Sequence, residues 1–247
     1  MKILIVNDDS IDAPGIAVLA RAATQLGDVW VAAPAEQCSA LSQKLTLREL
    51  IPVEEEKDFP VRVRSAWRIG GTPVDCVKVA LEHLMEEKPD VVLSGINNGF
   101  NCGQDIAYSG TLGAAFEAER LGVPTIAFSA AGDKYLEAME PHLLPLLREL
   151  TGKRAEPGSV WNVNFPAVRE GKPLRGILRD RSVCPVSMYR EQYVPIRRED
   201  GKTWLECRGT PTPDSMIPEG TDDAAVRAGY ISIGQVGCLL DAWEEHT

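Results

Sequence analysis

The sequence predicts an α/β protein, a three-layer α/β/α Rossmann-like fold around a mostly parallel sheet, extended at its C-terminal side by a β-rich part. Three observations predict it. Short β-branched runs alternate with segments of helical apolar spacing over the first 150 residues. Polar, acidic or glycine-rich stretches follow those runs, as at the strand exits of an open parallel sheet. Beyond about residue 155 the helical spacing gives way to strand-like segments.

Taken in order, residues 2–6 form a compact β-branched strand, and apolar residues at helical spacing predict a helix over 15–26. Strands are expected at 29–33, 61–63 and 67–69. A helix follows over 73–86, with Pro73 placed where a first helical turn tolerates it. Residues 90–93 are a buried strand, 111–121 a helix, 124–129 a strand and 135–150 a helix. The later strands fall at 160–165, 175–178, 192–197, 203–207 and 230–233, and Asp200-Gly201 between two of them is a hairpin signal. The chain reads as one domain over 1–247: a core over 1–150 carries the site, and a β-rich part over 151–247 has a hairpin at about 192–208 that is either an oligomerisation element packing on a partner subunit or a hairpin on its own core.

Composition narrows the function. Hydrophobic residues at 44% and charged residues at 25% are the balance of a globular chain. A formal net charge of -10 argues against a duplex nucleic-acid surface, which needs clustered cations. An anionic substrate would then have to meet positive charge from a metal, helix N-termini or a few placed cations. No run suits a membrane span or a signal peptide. The six scattered cysteines, with no CxxC and no histidine at ligand spacing, read as reduced thiols, so a cytoplasmic location is expected.

Three strand exits are expected to converge: Asn7-Asp8-Asp9-Ser10, the stretch 34–42, and Ser94-Gly95-Ile96-Asn97-Asn98-Gly99. Adjacent carboxylates repel in a partly buried site, and a hard divalent cation relieves them. Ser39 and Asn97 offer the further oxygens, an all-oxygen set that suits Mg²⁺ or Mn²⁺ better than zinc. Asp8 and Asp9 can equally cap the helix that follows. Tyr108-Ser109-Gly110-Thr111 opens another helix, where hydroxyls and unpaired N–H groups make an anion site or, alternatively, an ordinary N-cap. A metal beside an anion site points to phosphate-ester hydrolysis. His83 and His142 lie on predicted helices and His246 on the tail, which leaves acid catalysis to a carboxylate or water.

These residues resemble the SurE family (the stationary-phase survival protein), whose members are metal-dependent 5'/3'-nucleotidases. The resemblance runs through Ile3 to Asp9, Ala13-Pro14-Gly15, Ser39 and Ser42, Leu45-Thr46-Leu47, Gly71-Thr72-Pro73 with Asp75-Cys76, Ser94 to Asn97 and on to Asn101 and Gly103, and Tyr108 to Thr111. Asn162-Val163-Asn164 with Pro166, and Glu219 to Asp222, match later. It implies that Asp8, Asp9, Ser39 and Asn97 bind one divalent cation per subunit, with Asp8 and Asp9 catalytic, and that Ser109, Gly110 and Thr111 lie near the phosphate, where Asn98 is placed with them. It also implies nucleoside monophosphates as substrates, some action on short polyphosphate, and a homodimer or homotetramer joined by exchanged C-terminal elements.

The chain departs from the family pattern at Ser10, where glycine is usual, at Ala35 to Cys38, where a basic stretch is usual, and over 234–243. A signal-receiver domain shares the opening strand and acid pair, but the 125–129 strand lacks the required lysine. Asp8-Asp9-Ser10 is not the DxD of an aspartyl-phosphate enzyme, so direct attack by metal-activated water is expected. The alternative from another class is a non-catalytic nucleotide-binding regulatory protein.

Overall fold

The structure, a computed structural model, describes residues 1–169 and 171–238; His246 and the second half of the divergent 234–243 segment lie outside them. Eleven strands are present among the described residues: β1 (Lys2–Val6), β2 (Asp28–Pro34), β3 (Val53–Glu55), β4 (Ser65–Ile69), β5 (Val91–Asn98), β6 (Thr125–Ala130), β7 (Ser159–Phe165), β8 (Ile177–Leu178), β9 (Tyr189–Glu199), β10 (Lys202–Pro211) and β11 (Ile231–Gly237). The helices are α1 (Pro14–Ala23), α2 (Pro73–Val79), α3 (Gly110–Arg120), α4 (Leu136–Thr151) and α5 (Asp222–Arg227).

Nine strands form one sheet in the order β3-β4-β2-β1-β5-β6-β7-β11-β8. From β4 across to β7 every pairing is parallel. Only β3 on β4 and β11 on β7 run antiparallel. The β-rich C-terminal part therefore supplies β7, β8 and β11 to the sheet that the first 150 residues begin, and adds the separate β9–β10 ribbon.

Alternation along β1 sorts the core. Ile3 and Ile5 face the layer of α1 and α4, with Ile16, Leu19 and Leu143. Leu4 and Val6 face the layer of α2 and α3, with Val77 and Ala114. All of these side chains are fully buried, and each contributes roughly 1.5–3 kcal/mol of hydrophobic stabilisation. After β1 the chain moves outward through β2 to β4, then returns to place β5 on the other side of β1. That reversal opens a crevice at the carboxyl ends of β1 and β5, where ligands bind in such sheets.

Several expectations are corrected. Residues 61–63 form no strand; Val61 and Val63 instead lie against the core from an irregular segment. Edge strand β3, the 3-10 turn Gly103–Tyr108 and helix α5 appear where none was expected. Helix α2 starts on a Thr72–Asp75 capping box but gives way to a π-helical turn over Ala80–Leu84, short of the expected residue 86. Strand β5 does not stop at Leu93. It shifts register after Ser94, around Gly95 at φ +133°, and resumes pairing with β6 through Asn97 and Asn98, so these two asparagines are held by a ladder rather than by a loop. The Asp200-Gly201 turn has φ of +49° and +71°, the hairpin geometry its sequence predicts.

A buried polar network pins the loop that follows β5. The Asn101 N–H donates to Asn164 Oδ1 at 2.8 Å and its side-chain amide to Ser129 Oγ at 2.8 Å. Its carbonyl accepts from Asn162 Nδ2 at 2.9 Å and Asn164 Nδ2 at 3.1 Å. Replacing Asn164 by alanine leaves the buried Asn101 N–H without a partner, and a loss of about 2 kcal/mol is expected. Urea unfolding of Asn164→Ala measures it, and a midpoint equal to the parent's contradicts this role.

Candidate active site

Strand β1 delivers Asn7, Asp8, Asp9 and Ser10 into the crevice. Asn7 Nδ2 donates to the Ser10 carbonyl at 2.7 Å, closing a tight turn. Ser10 takes φ +89°, a backbone that glycine adopts freely and that costs an L-residue about 1 kcal/mol. Serine thus keeps a glycine-like conformation beside the acid pair, at the expense of strain.

The other segments close on that turn. The Cys38 N–H donates to the Asp8 carbonyl at 2.7 Å, and Gln37 Nε2 reaches Asp9 Oδ1 at 3.3 Å. From the end of β5, the Asn98 N–H donates to Asp9 Oδ2 at 2.7 Å. From the first turn of α3, Thr111 Oγ1 donates to Asp8 Oδ1 at 2.7 Å. Gly110 permits this approach, because a Cβ there would stand 2.9 Å from Asp8 Oδ2. Gly15 does the same for α1, where a Cβ would meet the Ile96 carbonyl at 2.2 Å.

With this geometry in view, comparison with known proteins is decisive. The SurE family model, described as survival protein SurE, matches residues 3–193. This chain belongs to the SurE family. A protein of Gemmatimonas aurantiaca named 5'-nucleotidase SurE is 42% identical, over 94% of this chain and 91% of its own length. One of Escherichia coli named 5'/3'-nucleotidase SurE is 36% identical, over 94% and 88%. The crystal structure of a SurE protein from Aquifex aeolicus matches with a TM-score of 0.80 at 33% identity, covering 98% of this chain and 95% of that one.

The fold brings Asp8, Asp9, Asn98, Gly110 and Thr111 into one bonded cluster, with Ser109 capping the same turn of α3. Asn97 borders it from β5, its Nδ2 donating to the Gly99 carbonyl at 2.9 Å, so that its Oδ1 is the end left to accept. Ser39 follows Cys38 at the exposed rim.

Two expected roles change in detail. The Asn98 side chain is engaged by Asp133: its Nδ2 donates to Asp133 Oδ2, and its Oδ1 accepts the Asp133 N–H, both at 3.2 Å. Its backbone N–H, not its amide, faces the acid pair. Ser109 Oγ accepts the Leu112 N–H as an N-cap at 3.1 Å, and the Thr111 hydroxyl is spent on Asp8. What this turn offers an anion is the Ser109 hydroxyl proton, main-chain N–H groups and the positive end of the α3 dipole. Asp133 escaped the sequence reading, although its place just beyond the carboxyl end of β6 is a signal of the kind that singled out Asp8.

Asp8 is only 3% exposed. Burial, with the Asp9 charge acting in the same direction, pushes its carboxyl up to about 6, against the pull of the Thr111 hydroxyl. At the rim, burial first and the Asp8 charge second push the Cys38 thiol upward, which keeps it protonated. Among the described residues no three His, Cys, Asp or Glu side chains are arranged to hold a metal. A cation here therefore requires hydroxyl and amide oxygens as well, which Ser39 and Asn97 carry. An under-neutralised acid pair with hard oxygens around it fits a hard divalent cation.

The Asp8 shift sets a pH dependence for the metal-free protein. Its folded value near 6 lies above the ordinary 3.8, so the folded state holds its proton longer and the contribution of Asp8 to stability declines as pH rises from about 4 to 6. Asn at this position does not titrate. In EDTA, the stability of the parent relative to Asp8→Asn is expected to fall by about 2 kcal/mol between pH 4 and 7. Denaturant melts across that range measure the difference, and a flat difference refutes the buried, charge-strained Asp8.

Proposed function

We propose that this chain is a phosphomonoesterase that hydrolyses nucleoside 5'- and 3'-monophosphates to nucleoside and phosphate, and short polyphosphate as well, using one Mg²⁺ or Mn²⁺ per subunit. The names of its relatives support the reading. One observation carries it: the 2.7 Å bond from Thr111 Oγ1 to Asp8 Oδ1 joins the acid pair to the anion-accepting turn of α3, so charge for a metal and charge for a phosphate meet at one point.

Asp8, Asp9, Ser39 and Asn97 are the residues that would hold the cation. Bound there, it supplies positive charge against phosphoryl oxygens and acidifies water for attack. The protein does the rest. Ser109 and the main-chain N–H groups of Gly110 and Thr111 receive the phosphate at the α3 N-terminus. The Asn98 N–H fixes Asp9, and the Asp133 carboxylate fixes Asn98. Gly110 keeps the phosphate seat within van der Waals reach of Asp8.

Phosphate release from AMP and GMP in Mg²⁺ or Mn²⁺ tests the reading. Asp9→Asn is expected to lower the rate at least about a hundredfold, and to weaken Mn²⁺ binding, without altering the thermal melt. Tight nucleotide binding with no phosphate release by the parent replaces the enzyme with a regulatory nucleotide binder.

The chain is assigned to the cytoplasm and to a homodimer or homotetramer. Its six cysteines are unpaired, and no described helix is long and apolar enough to cross a membrane. The β9–β10 ribbon exposes Tyr193 (71%), Ile196 (55%), Trp204 (50%) and Leu205 (56%), and a lone two-stranded ribbon is marginal in water. That exposed apolar face, which a second copy would cover, supports the assembly. Replacing residues 190–210 by a short Gly-Ser linker is expected to give a monomer by sedimentation velocity, and an unchanged sedimentation class removes the ribbon from the interface.

A further inference from the structure

Beyond the acid-pair crevice, a second cavity of ≈ 500 Å³ lies against the same loop system. Phe100, two residues past Asn98, is in its wall, and with Cys102, Met188 and Val226 it belongs to a small apolar cluster. Four cations, Arg169, Lys172, Arg175 and Arg227, share the wall with uncharged residues, and among the described residues no Asp or Glu lines it. In a chain of net charge -10, Arg169, Lys172 and Arg175, none of them in an ion pair among the described residues, make a local excess of positive charge, the arrangement that concentrates anions.

The fold anchors the side chains of Arg175 and Arg227 and the backbone of Arg169 and Lys172. The Arg169 N–H donates to the Lys172 carbonyl at 3.2 Å and the Lys172 N–H to the Arg169 carbonyl at 2.8 Å, a tight turn that sets both side chains on one rim. Gly171 makes the turn at φ +74°. The Arg175 guanidinium stacks at 4.7 Å over the Tyr230 ring and donates through Nη1 to the Ala228 carbonyl at 3.2 Å. Arg227 is anchored through Nε to Asp223 and through Nη1 to Asp214 and the Thr212 carbonyl, which leaves Nη2 without a bond among the described residues. An arginine carries five N–H donors, so both anchored arginines retain donors after their structural contacts. Among the described residues, the only ion pairs in this wall are those of Arg227.

We infer that this crevice is a binding site for a multiply charged phosphoryl anion, separate from the acid-pair site. Fixed guanidinium groups match phosphate oxygens with charge-assisted, bidentate hydrogen bonds, and the flexible Lys172 adds a point charge at the rim. The site neither uses the metal ligands nor depends on turnover. The same chemistry arrives either as a single phosphate or as a phosphate chain.

The test uses the full-length protein in EDTA, carrying Asp9→Asn so that catalysis plays no part, and titrates it by calorimetry with inorganic phosphate and with inorganic tripolyphosphate. Arg169→Gln with Lys172→Gln is the comparison, checked by its melt to be folded. The expected result is tripolyphosphate binding that weakens at least about tenfold in the double variant and declines with added NaCl. Phosphate alone binding with the same loss identifies a single-phosphoryl site, and tripolyphosphate alone a chain site. Equal binding by the two proteins, or no heat from either ligand at millimolar concentration, overturns the assignment. Because no turnover enters, that failure stays distinct from failure of the nucleotidase reading.

Discussion

A carboxylate that is almost sealed from water, next to a second carboxylate, is the constraint around which this crevice is built. Asp8 is buried by parts that would not otherwise need to meet: the first turn of α3, the Cys38 segment and the end of β1. Each close approach has its own residue requirement. Gly110 lies where any Cβ would press on Asp8, and Gly15 where a Cβ would press on the end of β5. Burial and the Asp9 charge raise the Asp8 carboxyl to about 6, so ionised Asp8 carries a local electrostatic penalty that a proton or other positive charge relieves. Such stored strain is typical of functional sites, and the left-handed Ser10 beside it adds a backbone component.

The supporting scaffold shows the opposite policy. The Asn101, Asn162, Asn164 and Ser129 cluster is buried and bonded, and Asp222 accepts three main-chain N–H groups, from Gly103, Cys184 and Asp223. Satisfied networks of this kind rigidify what they hold. They fix both ends of the segment from Asn101 to Gly103, immediately beyond the two asparagines that border the acid pair. At the site itself Asn7 Oδ1 is buried without a partner. Asp105 Oδ1, Asp223 Oδ2 and Ser232 Oγ, away from the crevice, are buried without a partner as well.

The central strands were legible because burial demands short runs rich in apolar, strand-favouring residues: 2–6, 29–33 and 160–165 all lie within observed strands. The acid pair, Asn97 and the α3 N-terminus were legible because strand exits and helix starts are the places where chemistry collects. What the sequence hid follows from context. Strand β3 is three exposed residues, Val-Glu-Glu, that pair only because β4 offers an edge. Helix α5 has six residues and depends on the Thr221 cap and its packing, too short for periodicity to register. The glycine and asparagines of β5 read as loop, yet a register shift at Gly95 lets the ladder resume. Asp133 and the Asn98 side chain were missed as a pair because their partnership spans two strand exits 35 residues apart.

The placement of arginine explains how an acidic chain manages anions. Arg64 is paired with Asp28, Arg68 with Asp12 and Glu56, Arg120 with Glu117, and Arg179 with Glu149. Except for Arg120 and Glu117, which share α3, these pairs join separate segments, and their guanidinium groups are engaged within the protein. Near the acid pair the protein offers hydroxyl and main-chain donors instead of fixed cations, so an anion there depends on helix polarity and on whatever charge Asp8 and Asp9 recruit. Had Arg68 reached Asp8 rather than Asp12, the acid pair would be neutralised by the protein itself and would have no use for a cation. Keeping arginine out of the acid-pair crevice and gathering it beside Phe100 separates the proposed metal site from the crevice proposed for phosphoryl anions.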